Sequence, residues 1–326
     1  MTPAVLRALS HVVARGDLYV SRSPLDARRI ANAVVDGGYH TVFLGGGDGT
    51  FMGFANEVLN LAARRRVSRL PHFGVLKLGT GNGLAAWVNA SGVHGGGMVD
   101  DVLRARNGDV PGYRSLELLS VEGRRAPFAS LGLDAQLLND YVALKARVSQ
   151  GWLSRLLTGS RGYAATVMLR TLPQALLRPT TAECEIRNTA DRPAFRLGAS
   201  GQPLTSVAPG EVLYRGPAML AAASTIPYYG YAIRMFPFAG RTAGTMHLRV
   251  GVVSPLAAAA NVLRLWRGEW FPSGVQDFLA SSVQVRFDRD VPFQLGGDAA
   301  GQRSELALAV APERLSLLDF SPAAAG

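Results

Sequence analysis

Apolar residues recur along this chain with two different periods, and the change from one to the other falls near Tyr113. Ahead of it, short β-rich runs alternate with helical patterns. "SPLDARRIANAVVD", Ser23 to Asp36, offers Ser23 as an N-cap, Pro24 at the first helical position and Gly37-Gly38 at its end, so it predicts a helix. "HTVFL", His40 to Leu44, reads as a buried parallel strand. Phe51, Phe54, Ala55, Val58, Leu59 and Ala62 follow at helical spacing, and Arg64, Arg65 and Arg66 close that helix where cations suit its dipole. "FGVLKL", Phe73 to Leu78, is a second strand that runs into "GTGNG" and the apolar "LAAWV". Two successive units of strand, glycine loop and helix argue for an open parallel α/β sheet, with both loops at the carboxyl ends of strands, where ligands bind.

Beyond Tyr113 the runs are short, strand-like and separated by turn residues: "SLELLSV", "APFASLG", "AECEIR", "TMHLRVGVVS", "SVQVRF", "VPFQLGG" and "SELALAVA". They predict an antiparallel β-sandwich. The expected division is therefore an α/β domain over 1–113 and a β-sandwich domain over 114–326, with the last residues packing back on the first domain. One stretch departs from the β texture. Tyr141 to Ala182 contains no acid and sets Lys145, Arg147, Arg155, Arg161, Arg170 and Arg178 among Trp152, Leu153, Leu156, Leu157 and Tyr163. Such a segment is either a solvated face or a surface that adsorbs onto anionic headgroups.

Composition narrows the partners. With 48% apolar residues the chain can bury sizeable cores. Cys184 is the only cysteine, which excludes an internal disulfide and reads as a buried apolar residue. No run reaches the length of a membrane span. "PAMLAAASTIPYYGYAI", Pro217 to Ile233, comes nearest, but Pro227, Gly230 and its hydroxyls read as buried strands with a turn. With no secretion signal at the start, a cytoplasmic protein is expected. The net charge of +10 favours anionic partners. No zinc-finger, arginine-tail or RNA-binding signature accompanies it, so nucleic acid is not an expected partner. The five histidines, His11, His40, His72, His94 and His247, lack metal-ligand spacing and read as structural or surface residues.

The candidate chemistry lies in the glycine loops. "GGGDGT", Gly45 to Thr50, places residues without Cβ ahead of a helix N-terminus, which suits the approach of an anion to backbone N–H groups. A bare strand-to-helix turn has the same composition. Asp48 bears on the choice, because a carboxylate among phosphates calls for a metal ion or a proton-transfer role.

These loops resemble those of the diacylglycerol kinase and sphingosine kinase superfamily, which is related to NAD kinases and 6-phosphofructokinases. The family's strand followed by G-G-D-G-T appears as Gly46 to Thr50, its later asparagine as Asn56, and its P-x-G-T-x-N-D-x-A as "KLGTGNGLA", Lys77 to Ala85. "LGLDA", Leu131 to Ala135, looks like the family's G-x-D-A, and "FQLGGDAAG", Phe293 to Gly301, sits where the family has Q-x-D-G-E. The resemblance implies an ATP-binding domain joined to a β-sandwich that receives a lipid alcohol. Gly45, Gly46, Gly47, Gly49 and Thr50 would cradle phosphates. Gly79, Thr80, Gly81 and Asn82 would form the second nucleotide loop, and Asp48 would hold Mg²⁺ or assist the attacking hydroxyl.

The departures are specific. The family's first strand and its N-P-x-S-G loop have no counterpart, so either one nucleotide contact is expected to be missing or the start codon is assigned too late. Lys77 replaces a proline, Gly83 an aspartate, and Gly53 stands where a glutamate is common. Gly296-Gly297-Asp298 replaces D-G-E, whose first acid is a candidate general base, and leaves Asp298 to take that role. Ala243 and Gly244 stand where the family has D-G, which removes the expectation of an accessory metal site. The resulting expectation is a peripheral membrane lipid kinase using ATP and Mg²⁺ on a diacylglycerol, sphingoid or related lipid. A non-catalytic nucleotide- or lipid-binding protein on the same fold and an NAD kinase are the alternatives.

Overall fold

In the computed structural model the described residues are 3–79, 81–92, 96–136, 138 and 181–322. The chain divides into two compact units, Met1–Leu116 with Glu313–Gly326, and Glu117–Pro312.

The first unit is α/β. Helix α1 covers Pro3–Ser10 and α2 covers Pro24–Asp36, with Ser23 Oγ accepting the Asp26 N–H as the cap that the sequence predicts. Strand β1 (Thr41–Gly46) is followed by α3 (Asp48–Arg65), and β2 (His72–Lys77) by the short α4 (Gly83–Trp87) and by α5 (Gly97–Arg106). β1 and β2 pair in parallel from Thr41↔His72 to Gly46↔Lys77. Gly74 is bare because the ring of Phe43, its partner across the pair, lies where a Cβ would go, with the nearest atoms at 2.3 Å. The apolar stripe of α3 is buried as its spacing predicts, through Phe51, Phe54, Ala55, Val58, Leu59 and Ala62. The helix ends at Arg66, which adopts a left-handed conformation (φ 54°). No strand precedes α2 among the described residues.

The second unit is antiparallel. β3 (Gly112–Val121) leads into it, followed by β4 (Arg124–Ala126), β5 (Phe128–Gly132), β6 (Ala182–Asn188), β7 (Ala194–Leu197), β8 (Pro203–Val207), β9 (Val212–Ala218), β10 (Leu220–Ser224), β11 (Met246–Gly251), β12 (Val275–Ala280), β13 (Ser282–Leu295) and β14 (Asp298–Asp319). Neighbouring strands run β9-β6-β13-β5-β10-β11-β12-β7-β8. The sheet curls around one core, since Leu213 of β9, Ile186 of β6, Phe278 of β12 and Ala194 of β7 share a single apolar cluster. Cys184 belongs to that core. "SVQVRF" and "VPFQLGG", which the sequence separates, form the one long strand β13 with irregular pairing around residues 286–291. β14 starts in this unit and ends in the first one, where Leu317 pairs in parallel with Phe73 of β2. Two short helices, α6 (Pro255–Ala260) and α7 (Val262–Arg267), lie between β11 and β12 in the chain.

A polar cluster is buried on the face of β11 opposite that core. Arg249 Nε donates to Asp277 Oδ1 at 2.8 Å, and His247 Nε2 lies 2.9 Å from the same oxygen. All three side chains are almost fully buried among Phe236, Phe238 and Phe271. His247 is therefore structural. The basic stretch Tyr141–Ala182 lies outside the described residues except for its last two.

Candidate functional site

The glycine run of the first unit is not an open loop. Gly45 and Gly46 belong to β1, Gly49 and Thr50 to the first turn of α3, and Gly47 alone separates strand from helix. Two of these glycines are bare because the backbone folds tightly on itself. A Cβ on Gly46 would lie 2.7 Å from the Thr50 Cβ. A Cβ on Gly79 would lie 2.2 Å from the Cα of Gly47 and 2.6 Å from its nitrogen, so the two turns touch through backbone. Gly47, the N-cap of α3, has no side chain with which to cap it. The first N–H groups of an eighteen-residue helix are thus left with the partial positive charge of its N-terminus and no capping acceptor.

Asp48 joins the turns. Its Oδ2 accepts the N–H of Gly83 at 2.8 Å and its Oδ1 the N–H of Leu84 at 3.1 Å. The carboxylate therefore caps α4 across the sequence while sitting in the first turn of α3. Burial raises its carboxyl above the usual range, against the pull of those two donors. Asn82 holds the second turn from within: it is left-handed (φ 50°), its Oδ1 accepts the Gly79 N–H at 3.0 Å, and its Nδ2 donates to the Gly79 carbonyl. Asn56 likewise donates to the Met52 carbonyl of its own helix, at 2.7 Å. Lys77 is exposed at the end of β2. Thr80 lies outside the described residues, and Gly81 sits half-buried beside Asn82.

This donor set suits phosphate better than it suits a metal. Helix-terminal N–H groups beside a glycine turn match an anion. Both oxygens of Asp48 already accept backbone N–H bonds, and no group of three or more acids, histidines or cysteines that could hold a metal occurs among the described residues. The described residues of these turns do not form a protein-held Mg²⁺ site.

The second unit brings together the two segments singled out in its sequence. β13 pairs with β5 through Phe293↔Leu131, Gln294↔Ser130 and Leu295↔Ala129, which sets "FQLGGDAAG" beside "LGLDA". Gly296 (φ 59°) and Gly297 (φ 90°) form a two-residue hairpin turn between Leu295 and Asp298, a conformation that calls for glycine, asparagine or aspartate. Gln294 supports that turn by accepting the Gly297 N–H at 3.0 Å. Its amide donates to Ser130 Oγ at 2.9 Å and to the hydroxyl of Tyr229. Tyr229 in turn donates to Asp134 Oδ2 at 3.0 Å.

The other oxygen of Asp134 is buried with no partner at hydrogen-bond geometry, and burial pushes the carboxyl above its usual range against the pull of Ser130, Tyr229 and the Ala135 backbone. A half-satisfied buried carboxylate of this kind accepts a proton or a hydroxyl readily. Sequence reasoning placed Asp134 in a family segment but gave it no role; the signal was the D of "LGLDA". Asp298 begins β14 with an exposed side chain, although protein on one side raises its carboxyl against the pull of Arg124.

Residues 2–110 match the family model of the diacylglycerol kinase catalytic domain. That match supports the resemblance of this domain to the diacylglycerol kinase and sphingosine kinase superfamily. Among solved structures it is similar to a diacylglycerol kinase from Bacillus anthracis str. Sterne, at 11% identity and a TM-score of 0.58, covering 94% of this chain and 85% of that one. A provisionally assigned diacylglycerol kinase from the same organism gives 14% identity and a TM-score of 0.63, covering 97% and 89%. At these identities the likeness is one of fold, and that fold is of the kinase type with a strand-rich second part. None of the curated proteins matches the sequence.

Proposed function

We propose that the protein is an ATP-dependent lipid kinase that transfers the γ-phosphoryl group to a hydroxyl of a membrane lipid. The observation that carries this reading is the pair of touching turns in the first unit, in which Asp48 caps α4 and the N-terminus of α3 stays uncapped. The phosphates of ATP would accept from the N–H groups of Gly47, Gly49 and Thr50, with Gly79, Thr80, Gly81 and Asn82 as the second wall. Phosphoryl transfer asks a protein chiefly to position its reactants and to stabilise spreading charge, and these donors suit that task. Mg²⁺ would enter as the counter-ion of the triphosphate.

On the acceptor side, the lipid hydroxyl would lie against Asp134, whose unpartnered oxygen is suited to receive its proton and whose orientation Tyr229 fixes. Asp298 stays a second candidate for that proton. Purified protein incubated with ATP and the host's own lipid extract, with products identified by mass spectrometry, tests the proposal. A phosphorylated lipid is expected. Formation of NADP from NAD instead would overturn the choice of acceptor, and nucleotide binding without transfer would favour a binding protein.

A further inference from the structure

In the second unit, α6 and α7 carry a surface that a soluble fold has no use for. Leu256, Val262, Leu263 and Trp266 are all large and exposed, Leu263 at 68% and Trp266 at 47%. They fall close together in the chain, on two successive helices, whereas exposed apolar residues on a soluble surface are ordinarily scattered singly. At about 100° per residue, Val262, Leu263 and Trp266 share one face of α7. Arg267 and Arg264 follow around the helix from that face. Leu265, about 60° from Val262 on the side away from Leu263, is half-buried and packs on the apolar cluster of Leu220, Phe236 and Trp270, which fixes the helix to the body of the unit. With Leu265 anchored at its edge, the face of Val262, Leu263 and Trp266 stays exposed.

The charge around this face is mainly positive, with Glu269 just past the end of α7 as the one nearby acid in sequence. No acid occurs between Pro255 and Gly268, and Arg264 and Arg267 are exposed and form no ion pair among the described residues. Arg234 lies alongside, its backbone N–H donating to the Trp266 carbonyl at 3.1 Å, with its side chain against Gly268. Leucine, valine and tryptophan flanked by three arginines against one acid is the composition of an interfacial helix. Each arginine near an anionic surface adds attraction, and the tryptophan prefers the boundary between water and hydrocarbon.

We infer that α6 and α7 form the docking element by which the protein settles on an anionic bilayer, with Leu263 and Trp266 entering the headgroup region. The inference rests on the membrane-lipid part of the proposed function. Charge selects this occupant over two others. The acid-free stretch Tyr141–Ala182 is itself cationic and would be repelled by the arginines, and a second copy would bring its own arginines against them in a chain of net charge +10.

Vesicle sedimentation with the full chain and no nucleotide tests it. Mixed phosphatidylcholine/phosphatidylglycerol vesicles should bind the wild type, and pure phosphatidylcholine should bind it more weakly. L263E/W266E should weaken binding to the mixed vesicles about tenfold or more, with an unchanged circular dichroism spectrum, because both side chains are exposed. W266F should keep binding but lose most of the fluorescence quenching by brominated lipid. Wild-type binding by L263E/W266E would overturn the inference. So would undiminished quenching in W266F, which would point to Trp152 in the basic stretch, or a wild-type dimer that L263E/W266E converts to monomer. Because no phosphate transfer is read, a protein that binds vesicles but phosphorylates no lipid leaves this inference standing and removes the kinase reading.

Discussion

The carboxylate of Asp48 accepts the backbone N–H of Gly83 at 2.8 Å across thirty-five residues of sequence, and that of Leu84 beside it. One acid thus satisfies the N-terminus of α4 and leaves that of α3 free. Burial of the acid makes the arrangement costly to break, because each donor that loses its partner stays away from water.

Asp48→Asn keeps the shape but turns an N–H donor toward one of those two N–H groups. Loss of one hydrogen bond and the facing of two donors should destabilise the first unit by about 1–3 kcal/mol. ATP should no longer raise the melting temperature. A variant with the stability of the wild type and an intact ATP-induced shift would show that the two turns do not depend on Asp48.

Gly79→Ala puts a Cβ 2.2 Å from the Cα of Gly47, against backbone that cannot rotate away. The turns must separate, and ATP affinity should fall about tenfold or more by calorimetry. Gly53→Ala is the matched control. Its Cβ meets nothing within 4 Å on an exposed part of α3, so it should stabilise the protein by about 0.5–1 kcal/mol and leave ATP binding unchanged.

Asp134→Asn separates function from stability. The wild-type carboxylate is buried with one oxygen unpartnered, so removing its charge relieves a desolvation cost, and the melting temperature should hold or rise. Lipid phosphorylation should fall by about a hundredfold or more if this oxygen receives the hydroxyl proton. A drop in both stability and turnover would make Asp134 a structural residue. Gly296→Asp is the complement: the left-handed φ of 59° tolerates aspartate and its Cβ would meet only the Ala126 Cβ at 3.3 Å. We expect a folded protein with raised turnover, read from initial rates.

Acid should destabilise the second unit through its buried cluster. Burial depresses the His247 imidazole below its ordinary range despite Asp277, so the folded state holds the ring neutral while the unfolded chain takes up a proton below about 6.5. That contribution to stability is complete above about 6.5 and declines as pH falls. For Asp277, burial alone would raise the carboxyl, but the His247 hydrogen bond and the Arg249 charge outweigh it and hold it at about 2. Its contribution is present above the unfolded value of about 3.8 and is lost toward 2. His247→Gln should flatten the fall of melting temperature between about pH 7 and pH 5. Asp277→Asn, which leaves Arg249 buried without its counter-charge, should cost about 3–5 kcal/mol.

Much of the first unit was legible in the sequence because its signals are local. Ser23 and Pro24 start α2 where caps require, and the apolar stripe of α3 is buried at every position its spacing names. The strand–glycine–helix order also survives, although the expected loop proves to be a single residue, Gly47. The function of Asp48 as a cap was not legible, since its partners lie in another turn and backbone N–H groups leave no mark on sequence. The same reason hid the chain of contacts from Gln294 through Tyr229 to Asp134, whose members are distant in sequence and meet only in the fold. Strands β7, β8 and β12 lacked a clear pattern; β8 is almost wholly exposed and so carries no alternation of buried and open positions.

A crystal structure with a non-hydrolysable ATP analogue would test the account most directly. Phosphate oxygens should lie within hydrogen-bond distance of the N–H groups of Gly49 and Thr50, with Asp48 still on Gly83 and Leu84. Turns left vacant by a bound analogue, or an analogue seated elsewhere, would contradict it.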